Sequence, residues 1–225
     1  MMRALEAGDP FAAIGEIGVV PVITIDDVRH ALPLADALLA GGLPVAEITF
    51  RTRAAAEVIA VLRAERPELL VGAGTVLDTA SLAAAHAHGA RFALAPGFDR
   101  DIVRAAADVG VPFAPGVMTP SELGGALAAG SRVCKYFPGG AAGGPAALRA
   151  IAGPFAHLTP RFLPTGGVTS ENVASWLATE NVLAVGGTWI ATTADIEGER
   201  WAAITAKALD AVRRVRAARP ARIAL

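Results

Sequence analysis

A lysine placed inside an apolar strand is the residue of this sequence best suited to covalent chemistry. The segment reads Arg132-Val133-Cys134-Lys135-Tyr136-Phe137-Pro138. Of 20 basic residues only Lys135 and Lys207 are lysine, so arginine fills nearly every position where a plain positive charge will serve. Only a primary amine condenses with a carbonyl to an imine, and desolvation favours its neutral, nucleophilic form. The plainer alternative is a strand-end lysine whose stem packs on apolar surface while its ammonium reaches water.

Imine chemistry moves a proton at every step, so the amine needs an acid/base partner. Val45-Ala46-Glu47-Ile48-Thr49-Phe50-Arg51 supplies one. With the period of two that strands impose, Glu47, Thr49 and Arg51 share one face, while Ile48 and Phe50 share the other. A buried carboxylate is costly unless paired or used. The competing reading is a structural Glu47–Arg51 ion pair. Arg51 is also a candidate cation for the neighbourhood of Lys135. The remaining acidic residues fall mainly on expected helices and loops.

Three glycine-rich strand ends could receive a ligand. Gly72-Ala73-Gly74-Thr75 lets a ligand approach the backbone and offers a hydroxyl, although such glycines also relieve crowding. Pro164-Thr165-Gly166-Gly167 and Gly186-Gly187-Thr188 form paired turns late in the chain. Barrels commonly build phosphate sites there, from backbone N–H groups and a helix N-terminus. Two plain tight turns are the alternative. No metal constellation is legible: His86 and His88 lie two apart and do not share a helix face. Cys134 should face away from Lys135 as a buried, inert thiol.

The elements that must position these residues follow one pattern, an apolar strand and then an Ala/Leu-rich helical stretch. The expected strands are Val19–Ile25, Val45–Phe50, Leu69–Val76, Phe92–Pro96, Pro112–Val117, Val133–Phe137, Phe162–Thr165 and Val182–Ile190. Asp26, Thr52, Asp78, Asp99, Thr119 and Thr169 are the expected helix caps. Repeated strand–helix units predict a single-domain α/β (β/α)8 TIM barrel over residues 1–225. A helical extension at 1–17 and a basic tail at 213–225 flank it, and an open doubly wound sheet is the runner-up. Barrel sites lie at the C-terminal ends of strands, where Glu47 and Lys135 stand.

Composition agrees. The chain of 225 residues is 53% hydrophobic and 18% charged, as a sheet buried on both faces requires. A net charge of -1 gives no support to nucleic-acid binding. No long uncharged apolar run suggests a membrane span, and the N-terminus lacks a signal core. With a single cysteine, these points favour the cytoplasm. Arg213, Arg214, Arg216, Arg219 and Arg222 could meet an acidic partner, but complementing the dipole of a last helix is the simpler role.

Taken in order, VAEITFRT (45–52), GAGTV (72–76), APG (95–97), KYFP (135–138), IAGPF (151–155), PTGGV (164–168) and GGTW (186–189) resemble 2-keto-3-deoxy-6-phosphogluconate aldolase. The resemblance runs from about Val19 to Ala211. It implies a class I aldolase, needing no cofactor or metal, that reversibly splits its substrate into pyruvate and glyceraldehyde 3-phosphate in the Entner–Doudoroff pathway. Lys135 takes the Schiff-base role and Glu47 the acid/base role, through water. Arg51 and Thr75 take the pyruvate carboxylate, with Pro96 and Phe137 lining the pocket. Gly166, Gly167, Gly187 and Thr188 take the phosphate. Thr165 matches a position tied to stereochemistry at C4. The resemblance also implies a homotrimer and a second activity on 4-hydroxy-2-oxoglutarate.

Two departures stand out. Gly139-Gly140 follow the lysine motif where the family often has Ala-Glu, and Thr188 replaces a frequent serine. The alternatives are the galactonate-configured homologue, disfavoured by Thr49 and Arg51, a sugar-phosphate isomerase or epimerase, and a non-catalytic phosphate-ligand binder.

Overall fold

A computed structural model of the chain describes residues 8–219. The first seven residues of the expected extension and the end of the expected tail, Arg222 included, lie outside the described residues. Helix α1 (Pro10–Ile17) opens the described chain, with the Asp9 side chain accepting from Phe11 N at 3.0 Å. Then β1 (Val19–Ile23), α2 (Ala31–Ala40), β2 (Val45–Thr49), α3 (Ala55–Glu65), β3 (Leu70–Gly74), α4 (Thr79–Ala87), β4 (Ala93–Leu94) and α5 (Arg100–Asp108) alternate. The alternation continues through β5 (Phe113–Ala114), β6 (Gly116–Val117), α6 (Pro120–Ala128), β7 (Val133–Tyr136), α7 (Gly144–Ala152), β8 (Arg161–Pro164) and α8 (Val173–Leu177). It closes with β9 (Val185–Gly187), α9 (Thr193–Glu197) and α10 (Trp201–Ala218).

All strand pairs are parallel. One sheet runs β5-β4-β3-β2-β1-β9 and another β6-β7-β8. Bridges Phe162↔Val182 and Thr165↔Gly186 join β8 to β9. β5 and β6 are halves of one strand parted by Pro115, which has no N–H to give; its carbonyl still accepts from Lys135 N at 2.8 Å. Counted so, eight strand positions close a ring, the (β/α)8 barrel expected from the alternation.

Burial explains why the strands read as apolar runs. β1, β2 and β3 are buried at every residue, because the interior covers one face and the helices cover the other. Several strands are shorter than their apolar runs. Phe92–Pro96 yields only Ala93–Leu94, and Val182–Ile190 yields Val185–Gly187, although Phe92 O, Ala95 N and Leu183 N still bond to neighbouring strands.

Among the helix caps, Asp78, Asp99 and Thr119 act as expected. Thr119 forms a capping box: its Oγ1 accepts from Glu122 N at 3.2 Å while the Glu122 carboxylate accepts from Thr119 N at 2.8 Å. Burial disfavours the Glu122 anion, but the Met118 and Thr119 donors outweigh that cost and hold its pKa below the ordinary value.

Three expected caps are corrected. Asp27, not Asp26, caps the 3-10 turn Val28–His30. The Thr52 hydroxyl donates instead to Ile25 O at 2.7 Å, and α3 starts without a side-chain cap. Thr169 starts a turn, and α8 begins only at Val173.

Two arginines of the basic C-terminal stretch have structural partners among the described residues. α10 carries an Arg214–Asp210 pair, and Arg219 donates to the carbonyls of Gly15, Val182 and Leu183, fastening the helix end to the barrel.

Candidate active site

Lys135 comes from β7 and Glu47 from β2, four positions apart whichever way the ring is followed. They face each other across the interior, and Lys135 Nζ donates to Glu47 Oε1 at 3.0 Å. The two side chains are 5% and 2% exposed. The strand-end lysine reaching water is thereby excluded. So is the Glu47–Arg51 pair: Arg51 lies beyond β2, exposed, and enters no ion pair among the described residues.

Small residues clear the space around the pair. Gly74 pairs with Thr49, and a Cβ built on it would run into the Glu47 carboxylate. Gly72 sits beside Glu47 in the ladder, and Gly116 beside Lys135. A Cβ on Gly186 would strike Thr165 Oγ1. These glycines make room for the groups packed on them: the Phe92 ring on Gly72, the Pro96 backbone on Gly116, the Glu47 carboxylate on Gly74 and Thr165 on Gly186.

The Phe137 ring lies 5.7 Å from Lys135 Nζ, close enough for its face to attract an ammonium. Thr75 has φ 56°, a left-handed backbone that a β-branched residue adopts only under constraint. That strain is worth about 1–3 kcal/mol and stands at a strand end beside the pair. Pro96 is half-buried at the end of β4, and Thr165 is buried just beyond β8.

The bridge between Thr165 and Gly186 sets the two late glycine turns side by side. Gly166 and Gly167 have φ 84° and 77°, conformations natural only to glycine. Gly187 is buried and Thr188 exposed. The expected helix N-terminus does not follow either turn directly. α8 starts at Val173 and α9 at Thr193, so local donors here are the turns' own N–H groups.

Thr49 does not face the mouth as a free hydroxyl. Its Oγ1 donates to Ile23 O and lies 3.0 Å from Thr24 Oγ1. Thr24 went unnoticed in the sequence. Its signal was the in-register pairing Val22↔Glu47, which puts Thr24 on the Glu47 face by alternation. The Gly139-Gly140 segment is also defined: Gly139 N donates to Thr165 O and Gly140 N to Gly166 O, both at 2.8 Å.

Cys134 is fully buried, and burial pushes its thiol up to about 12 despite the opposing effect of Arg132. It is the inert thiol expected. Among the described residues no three His, Cys, Asp or Glu side chains gather as a metal site would need. No helix among them is long and apolar enough to cross a membrane.

An isolated ion pair of this depth is a poor way to gain stability, because desolvation offsets most of the attraction. It is a good way to keep an amine and a proton acceptor in contact, away from water. A (β/α)8 barrel with such a pair held across its interior has the amine and the proton acceptor that a class I carbon–carbon lyase needs, and that is the class to which the chain's relatives belong.

Comparisons with known proteins agree. Residues 12–207 match the family model described as "KDPG and KHG aldolase". The chain is 46% identical to 2-dehydro-3-deoxy-phosphogluconate aldolase of Pseudomonas aeruginosa, over 88% of this chain and 90% of that one. It is 43% identical to KHG/KDPG aldolase of Escherichia coli K12, over 86% and 90% respectively. KDPG aldolase from Legionella pneumophila, solved with pyruvate captured as a covalent carbinolamine, superposes with a TM-score of 0.84. Its identity is 40%, covering 89% of this chain and 96% of that one. The chain belongs to the KDPG and KHG aldolase family.

Proposed function

We propose that the protein reversibly cleaves 2-keto-3-deoxy-6-phosphogluconate to pyruvate and glyceraldehyde 3-phosphate through an imine on Lys135. The observation that carries the assignment is the buried 3.0 Å contact between Lys135 and Glu47.

The steps follow from that contact. Lys135 passes a proton to Glu47, and its neutral Nζ attacks the substrate's C2 carbonyl carbon. Glu47 gives that proton to the carbinolamine hydroxyl, which leaves as water, so the iminium forms and the carboxylate is free again. Glu47, directly or through one water, takes the proton of the C4 hydroxyl. The C3–C4 bond breaks, its electron pair enters the iminium as an enamine, and the aldehyde leaves. A proton returned to C3 and hydrolysis of the imine release pyruvate and restore Lys135.

Arg51 and Thr75 are assigned to the carboxylate, and Pro96 and Phe137 to the pocket wall. Gly166, Gly167, Gly187 and Thr188 are assigned to the phosphate, and Thr165 to the choice of C4 configuration. The gluconate series is preferred to the galactonate series because Thr49 and Arg51 follow Glu47. 4-Hydroxy-2-oxoglutarate is a second substrate by the same steps, giving pyruvate and glyoxylate. The absence of a long apolar helix among the described residues is consistent with cytoplasmic placement. A homotrimer is the assembly proposed with this activity.

Incubation with pyruvate followed by borohydride reduction and peptide mapping tests this reading. A stable adduct is expected on Lys135. A folded protein with no adduct there would overturn the assignment.

A further inference from the structure

We propose that Thr24 is a specificity-determining residue that accepts a hydrogen bond from the C5 hydroxyl of the phosphorylated keto acid. The proposal rests on the reading of Glu47 as the base at C4 and of the two late glycine turns as the phosphate site. Its basis is the place of β1 in the ring and the direction of one hydroxyl hydrogen bond.

β1 pairs with β2 on one side and with β9 on the other. It is the one strand between the strand that carries Glu47 and the strand that ends in the Gly186-Gly187-Thr188 turn. Two strand intervals are about 10 Å, which the substrate's arm from C4 to the phosphorus covers with a hydrogen bond at each end. A substrate whose C4 hydroxyl meets Glu47 and whose phosphate meets the turns beyond β8 and β9 therefore lays C5 past the end of β1. Every residue of β1 is apolar and buried. Thr24 comes next, half-buried and carrying a hydroxyl. The Val22↔Glu47 register puts it on the Glu47 face, one inward position nearer the mouth than Val22.

The hydrogen bonds fix what Thr24 can offer. A hydroxyl has one hydrogen to give and two lone pairs with which to accept. Thr49 gives its hydrogen to Ile23 O at 3.0 Å. In the 3.0 Å contact between the two threonines, Thr24 is therefore the donor and Thr49 Oγ1 the acceptor. Thr24 Oγ1 is left with lone pairs for a ligand and no hydrogen. Such a group accepts from a hydroxyl and has nothing to give an ionised carboxylate or phosphate. On the substrate's arm the C5 hydroxyl is the donor that fits. Space for it adjoins Thr24: a cavity of about 190 Å³ has Thr24, Asp26, His30 and Thr193 among its walls. It lies between the loop after β1 and α9, which belongs to the chain leaving β9.

The test runs the reaction as a condensation of pyruvate with either of two aldehydes. The C2 hydroxyl of D-glyceraldehyde 3-phosphate becomes the C5 hydroxyl of the product. 3-Oxopropyl phosphate keeps the aldehyde and the phosphate but lacks that hydroxyl. The ratio kcat/KM is measured on both for wild type, for Thr24→Val, which removes the hydroxyl and keeps the shape, and for Thr24→Ser, which keeps the hydroxyl. Wild type should prefer the hydroxylated aldehyde by about tenfold, as for one hydrogen bond. Thr24→Val should lose most of that preference through a fall on glyceraldehyde 3-phosphate, with 3-oxopropyl phosphate staying within about twofold. Thr24→Ser should retain it.

A wild type indifferent to the hydroxyl, a Thr24→Val variant that keeps the full preference, or equal losses on both aldehydes would each overturn the proposal. The wild-type comparison needs no substitution, so it decides even where Thr24→Val does not fold. Borohydride trapping of pyruvate on Lys135 judges the aldolase reading separately, since pyruvate has no C5.

Discussion

The chain's two lysines occupy opposite kinds of site. Lys135 meets Glu47 in the barrel interior, and that bond is the one the structure gives the Glu47 side chain. Lys207, on α10, meets Asp195, whose carboxylate also accepts from Thr192 Oγ1 at 2.6 Å and Arg200 Nε at 2.9 Å. Lys207 is 38% exposed and Lys135 5%.

The lesson is one of saturation. A carboxylate with three donors is locked as an anion: the Lys207 and Thr192 hydrogen bonds overcome desolvation and hold Asp195 well below the usual carboxylate range. Such a group ties α9 to α10 and has no proton to trade. A carboxylate with one donor, that donor an amine, can pass a proton back and forth.

Breaking the interior pair should have the largest effect. Lys135→Arg keeps the charge but abolishes cleavage, since guanidinium forms no imine; steady-state assay and borohydride trapping should both read zero. Glu47→Gln should still trap pyruvate but turn over ~10²–10⁴-fold more slowly. An unchanged rate would remove Glu47 from proton transfer. Gly74→Ala sharpens the same side of the comparison by forcing the Glu47 carboxylate aside without altering it. A loss in kcat smaller than that of Glu47→Gln is expected, with trapping retained.

The outer pair should respond in stability alone. Lys207→Met should cost about 1 kcal/mol in urea unfolding, a figure discounted for solvent screening of a partly exposed partner, and leave kcat unchanged at neutral pH. The sign of its pH dependence is fixed. Asp195 has a folded pKa below its ordinary 3.8, so its contribution is present above that value and fades as pH falls through and below it. Lys207→Met should flatten this acid limb. An identical acid limb in variant and wild type would place the linkage elsewhere.

Much of this was legible in the residues. Scarcity of lysine singled out Lys135, and period-two alternation put Glu47 inside. The repeat of strand and helix fixed the ring, because parallel strands buried on both faces must read as apolar runs. Partnership was harder to see. Whether Glu47 meets Arg51 or Lys135 depends on which strands stand opposite after closure, 88 residues apart in sequence. Helix starts were misplaced where a hydroxyl found a better acceptor in a neighbouring strand, as Thr52 did at Ile25 O. Gly139-Gly140 looked like a lost carboxylate and became a backbone seam, which composition cannot show because its bonds belong to the main chain.

The position of the pair on opposite arcs of the ring has a consequence for how the protein comes into being. Chain emerging from synthesis carries the acid long before the amine, and no half-barrel holds both. Competence therefore arrives only with closure, so recovery of turnover during refolding is a clock for the last strand to dock. It also follows that two separately produced halves, divided between β4 and β5, should each be inert and regain turnover only when they reassemble.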